Sequence, residues 1–205
     1  MKAQAGVPDE ARKILLISVP LTVALWLGLY RFLPLVGGMA HPIARLGTAL
    51  VWISISGLFC LGAGIEAVAH ERLRSTAFDP LAGRDSPRMA VNQRYLQNTL
   101  EQFALFAPGL AGLAWYSDNA VAMRAVPATA LVWIVTRYAF WIGYHRGAAY
   151  RAAGVPGLII PVALLLYVAA RFGYELDGWR GAAVPIVLYL GLEVVLFRAT
   201  RPIPA

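Results

Sequence analysis

The chain has 205 residues, 59% of them hydrophobic and only 14% charged, with a formal net charge of +7. A soluble domain carries about a quarter charged residues, so the composition excludes an ordinary soluble protein and reads as an integral membrane protein. The positive charge is sixteen arginines and two lysines lying mostly between apolar runs, a pattern of topology signals and lipid-headgroup contacts and not of a nucleic-acid face.

Six apolar segments follow in chain order. The first, Ile14–Leu33, is preceded by Lys2, Arg12 and Lys13, and Gly38-Met39-Ala40 resembles the cleavage site of a secretory signal. The run is long for such a signal, and Arg31 and Pro34 interrupt the approach to that site, so the segment is expected to be retained. The second, Leu46–Ala69, holds Cys60, the single cysteine. One cysteine excludes an internal disulfide and a cysteine-based metal or redox pair. Glu66 and His70 stand at i and i+4 but have no second pair to complete a metal site, so they read as a helix-end polar pair. With three scattered histidines (His41, His70, His145), no metal centre is expected. The third and fourth segments, Val91–Trp115 and Ala120–Tyr144, are long enough for the ~20 residues of a spanning helix. The fifth and sixth, Val155–Ala170 and Ala182–Phe197, are shorter and contain Pro161 and Pro185, so spanning by both is left open. There is no internal repeat or linker, and residues 1–205 read as a single transmembrane domain.

Charge asymmetry orients the segments. With the N-terminus inside, the inner side carries Lys2, Arg12, Lys13, Arg72, Arg74, Arg84, Arg88, Arg94, Arg146, Arg151, Arg198 and Arg201, and the outer side Arg31, Arg45, Arg124, Arg171 and Arg180. This bias predicts both termini on the cytoplasmic side. The scarcity of lysine, with no organelle or retention signal, leans towards a bacterial inner membrane.

Two polar stripes interrupt the third and fourth segments. Arg94, Asn98 and Glu101 fall at i, i+4 and i+7, one helix face; Arg137, Phe140, Tyr144 and Arg151 fall at i, i+3, i+7 and i+14. Ionisable groups in membrane helices are costly, and their default reading is functional. At 1.5 Å rise per residue, Asn98 and Glu101 lie about 6 and 10 Å deeper than Arg94, and Tyr144 about 10 Å deeper than Arg151. Both stripes therefore converge in the cytoplasmic half of the membrane, with Arg72 and Arg74 at the rim. Arginines, an amide, a carboxylate and a tyrosine there make a basic pocket for a small polyanionic, hydrogen-bonding ligand. The bland readings are interfacial anchoring for Arg94, Arg151 and Tyr144, and bundle glue, such as a Glu101–Arg137 pair, for the deeper residues.

The order Arg94-x-x-x-Asn98-x-x-Glu101, then Arg137, Gly143-Tyr144 and Arg151 at intervals of seven, resembles the MAPEG family, the membrane-associated proteins in eicosanoid and glutathione metabolism. The resemblance covers about 46–172 and implies an all-α polytopic helix bundle, a four-helix core with 14–33 and 182–197 as additional segments, assembled as a homotrimer. It implies glutathione as co-substrate, held between subunits near the cytoplasmic face by Arg94, Asn98, Glu101 and Tyr144, with Arg72 or Arg74 adding a basic contact. Arg151 matches the catalytic arginine set against the glutathione sulfur; Arg137 and Phe140 stand behind these contacts. Gln102 and Phe140 replace tyrosines found in some members, which argues against a close eicosanoid-synthase equivalent. The implied activity is that of a glutathione transferase or peroxidase acting on small hydrophobic electrophiles or lipid hydroperoxides, with membrane lipids as surroundings. The alternatives are a non-catalytic lipid-binding or scaffold protein of the same fold, or a small transporter.

Overall fold

The computed structural model describes residues 9–35, 37 and 39–200. Lys2, Arg201 and Gly38 of the cleavage-like tripeptide lie outside the described residues. Most of the described residues are helical, with no strand among them. Five long helices carry the fold: α1 Asp9–Phe32, α2 Pro42–Leu73, α3 Pro87–Tyr116, α4 Ala125–Arg146 and α5 Pro156–Ala199.

Helix α1 crosses α4, where the Trp26 indole N–H donates to the Thr129 hydroxyl at 2.9 Å. Its Leu16, Ile17 and Leu21 remain exposed, as side chains meant for lipid do. Helix α2 starts at Pro42, whose missing N–H costs nothing in a first turn. It widens into a π-helical stretch at Gly57–Gly62. Such a stretch loosens the backbone ladder, and here hydroxyls from the neighbours reach it: Tyr138 donates to the carbonyl of Phe59 at 2.8 Å and Tyr95 to that of Cys60 at 3.2 Å. Helices α2 and α3 run antiparallel. At one end the Arg45 guanidinium donates to the carbonyl of Ser117 at 2.9 Å, and at the other the Asn92 amide donates to the Glu71 carboxylate at 3.0 Å.

Helix α3 opens on an N-cap, the Ser86 hydroxyl accepting from the Met89 amide at 3.0 Å, with Pro87 in the first turn. Its apolar face builds the core: Phe106, Leu110 and Ala114 pack with Val126, Ala130 and Trp133 of α4 and with Ala49 of α2. Phe106 and Trp133 stack at 4.4 Å between ring centroids. Helix α4 ends at Gly147, whose φ of 148° frees the chain to turn back. The returning segment, the 3₁₀ turn Tyr150–Gly154 and the start of α5, lies directly on α4 because glycines face the contact. A Cβ on Gly143 would stand 2.3 Å from the carbonyl oxygen of Tyr150, and one on Gly154 2.2 Å from Cβ of Phe140.

The fifth and sixth apolar segments are two arms of α5, the first extended about six residues beyond its apolar run, joined at a break where Asp177 and Gly178 leave helical geometry. Gly178 sits at φ 53°. Gly173 and Gly181 would be about 12 Å apart in a straight helix, yet a Cβ on Gly173 would meet the Gly181 carbonyl oxygen at 2.2 Å, so the arms fold sharply against each other. The first arm packs on α3 through Gly109 against Leu164 and Gly112 against Val168. The second arm beyond Ala182 exposes its apolar side chains, Val187, Leu188 and Phe197 among them.

Four helical stretches among the described residues are long and apolar enough to cross a membrane: Asp9–Phe32, Pro42–Leu73, Ala122–Arg146 and Tyr150–Ala199. Helix α3, expected as a span, has 30 residues but falls short in apolarity, because its first half carries Arg88, Arg94, Gln97, Asn98 and Glu101.

Candidate functional site

Chain order brings one set of ends together: the end of α2, the start of α3, the end of α4 and the return into α5. Between α3, α4 and the return segment lies a groove of about 510 Å³. Helix α3 contributes Arg94, Gln97, Asn98 and Glu101 to its wall, α4 contributes Phe140 and Tyr144, and the return contributes Arg151, Val155 and Leu158. The two stripes read from helical spacing thus form one concave surface, polar along α3 and apolar along Val155, Leu158 and Phe140.

The local chemistry explains how each group is held. Arg94 donates to the Gln97 side-chain carbonyl at 3.3 Å, and the Gln97 amide donates to the Glu101 carboxylate at 3.3 Å, a relay along one face of α3. All three are exposed to the groove side. Arg151 holds its guanidinium 5.6 Å from the centroid of the Tyr144 ring, a cation–π placement, and Tyr144 meets Phe140 edge-on at 5.7 Å. Arg151 reaches this position because Gly154 and Gly143 let the return segment touch α4.

Arg137 is fully buried behind the groove. It was expected to pair with a carboxylate; instead its guanidinium donates to Oδ1 of Asn98 at 3.0 Å and lies 4.5 Å over the Phe140 ring. Glu101 is solvent-exposed one turn further on and bonds Gln97, so the Glu101–Arg137 pair does not form. Nε and one terminal nitrogen of Arg137 are buried without a hydrogen-bond partner. Since an arginine can only donate, Asn98 must turn its oxygen to Arg137 and its amide N–H groups to the groove. The groove wall therefore presents donors at Arg94, Asn98 and Arg151 and an acceptor at Glu101.

Arg72 and Arg74 are not brought to this groove. Arg72 is half-buried at the end of α2, with one terminal nitrogen lacking a partner. Arg74 lines a different, smaller cleft between the same ends of α2, α3 and α4, together with Arg88 and His145. His145 belongs to that cleft, and Glu66 and His70 form the expected i,i+4 pair at 3.2 Å. Gln97, Val155 and Leu158 line the groove without having been singled out. Gln97 had a usable signal, lying three residues after Arg94 and four before Glu101. No group of three or more potential metal ligands occurs among the described residues.

Among known families, one matches over residues 48–171, a span that holds the groove and the buried Arg137. The chain belongs to the MAPEG family. No curated protein and no solved structure gives a match. MAPEG membership, with the four apolar helices, makes this an integral, multi-pass membrane protein built as a helix bundle. The MAPEG family includes glutathione transferases and peroxidases, which sets the chemistry against which the groove is read.

Proposed function

We propose that this MAPEG protein is a glutathione-dependent transferase or peroxidase acting on small hydrophobic electrophiles or lipid hydroperoxides. One observation carries the reading: Arg94, Asn98, Glu101, Tyr144 and Arg151, drawn from three stretches of chain, line one groove of about 510 Å³. Glutathione offers two carboxylates, an ammonium and peptide carbonyls. Arg94 and the outward amide of Asn98 suit its acceptors, and Glu101 suits its ammonium. Tyr144 contributes a hydroxyl beside Arg151.

Arg151 is the catalytic residue of this proposal. A free thiol has a pKa of about 8.5 and reacts as the thiolate. A guanidinium within ~4–6 Å of the sulfur favours the anion, and Arg151, which keeps its proton, stabilises the thiolate without acting as a base. In conjugation the thiolate forms a carbon–sulfur bond as the electrophile either expels its leaving group with the bonding pair or opens a polarised double bond that then takes a proton. In hydroperoxide reduction two glutathiones become a disulfide while the hydroperoxide becomes an alcohol and water. The apolar wall of Val155, Leu158 and Phe140 faces the arriving substrate.

The proposal assigns 46–172 to the catalytic unit and treats 14–33 and 182–197 as additions within one domain. It takes the protein as a homotrimer with the groove on the cytoplasmic side of a bacterial inner membrane and both termini cytoplasmic. In that assembly Arg72 of a neighbouring copy supplies the remaining basic contact, since Arg74 lines another cleft. A second reading, ligand binding without catalysis, draws on Phe140: it lines the groove where some members offer a hydroxyl.

The test is a glutathione titration of detergent-purified protein, following thiolate ultraviolet absorbance near neutral pH beside Arg151→Ala. A thiolate signal lost in the variant while glutathione still binds supports catalysis. Binding without thiolate in either protein supports the second reading, and no binding overturns both.

A further inference from the structure

The second cleft, about 270 Å³ between the ends of α2, α3 and α4, has its own construction. Its floor is two buried side chains, Glu71 and Asn92, each 5% exposed. Glu71 accepts from the Ser86 hydroxyl, from the Asn92 amide at 3.0 Å and from Nε of Arg88 at 3.2 Å. Oδ1 of Asn92 receives the Trp141 indole N–H and Nε2 of His145, both at 2.9 Å. Because indole only donates, the Asn92 orientation is fixed, and with it the proton on Nε2 of His145. The acidic floor is thus consumed within the fold.

The rim is cationic. Arg88 spends only Nε on Glu71 and turns its terminal nitrogens outward from a side chain that is 70% exposed. Arg74 also lines the cleft, and its side chain has no hydrogen-bond or ion-pair partner among the described residues. His145, whose Nε2 proton goes to Asn92, and His70, paired with Glu66, complete the edge. The terminal nitrogens of Arg88 and the guanidinium of Arg74 offer N–H donors that match a tetrahedral oxyanion, with Glu71 offsetting one of their two charges, and the stacked Tyr95–Trp141 pair at 4.3 Å backs the cleft with a rigid wall. We propose that this cleft binds a phosphate group, carried by a phospholipid headgroup or by a soluble phosphate ester. The proposal does not rest on glutathione occupying the groove, which lies on the opposite face of α3.

Native mass spectrometry of the full-length protein from neutral detergent tests it, with short-chain phosphatidic acid and glycerol phosphate as probes. The expected result is one probe molecule per chain, retained in Arg94→Ala and weakened about tenfold or more in Arg88→Gln, the loss of one charge-assisted contact. Arg74→Gln, which leaves the Glu71 network intact, is expected to weaken binding in the same way should Arg88→Gln disturb folding. Phosphatidic acid bound alone assigns the site to lipid, glycerol phosphate bound alone to a soluble ester, and both to phosphate as the determinant. Binding of neither probe, or equal binding by wild type, Arg74→Gln and Arg88→Gln, overturns the proposal.

Discussion

Asn98 and Arg137 show how a buried charge shapes an exposed surface. Arg137 lacks a carboxylate partner and leaves two nitrogens unbonded in the core, so it is a poor source of stability. Its effect is to aim the Asn98 amide at the groove. Replacing it with a chain of similar length and no charge separates the two roles. Arg137→Met is expected to melt at or above the wild-type temperature while glutathione affinity falls about tenfold, the worth of one oriented hydrogen bond; calorimetry and a binding titration read the pair. The groove residues were legible because helical spacing alone puts Arg94, Asn98 and Glu101 on one face, and because ionisable groups stand out in apolar sequence. The partner of Arg137 was not, since spacing fixes a face but not which of two neighbours, Asn98 or Glu101, lies at the same depth. Val155 and Leu158 were hidden for the opposite reason: an apolar groove wall looks like any other membrane residue.

Among the elements, the return segment matters most to the site. Gly154 touches Phe140 with no space for a methyl group. Gly154→Ala is expected to cost about 1–3 kcal/mol through overpacking and to move Arg151 away from Tyr144, lowering thiolate formation in the same absorbance assay. Gly28→Ala is the control: nothing lies within 4 Å of its Cβ position, and a helical glycine replaced by alanine gains about 0.5–1 kcal/mol. In α5, hydropathy located two apolar cores but not the helical backbone around them. Tyr174, Glu175 and Arg180 lower the apolar signal without disfavouring helix, so the first arm runs six residues past its segment, to 176, and the second starts three residues before its own. The break falls at Gly178, whose φ of 53° suits glycine. Gly178→Val is expected to destabilise the hairpin by about 1–2 kcal/mol, visible as faster hydrogen exchange or proteolysis of the distal arm with little change in the melting temperature of the rest.

Across the whole molecule, stability and function are unevenly spread. The distal arm buries little beyond Ala182, so a chain ending after residue 176 is expected to keep glutathione binding within about twofold and to lose little thermal stability, because few contacts depend on the arm. Antiparallel order was legible from charge and segment length; the sharing of one end by two separate clefts was not, because it depends on how α3 divides its polar residues between opposite faces. The π-helical stretch of α2 lies between its two anchor points, Arg45 on Ser117 and Glu71 on Asn92. A π turn holds one residue more than an α turn over the same phase. Deleting a residue from 57–62 would heal the helix and leave both anchors facing their partners, whereas a deletion elsewhere in α2 would swing one anchor by about 100°. Length change in this helix is therefore tolerated at one address, and descendants of this chain can shed a residue there without refitting either end.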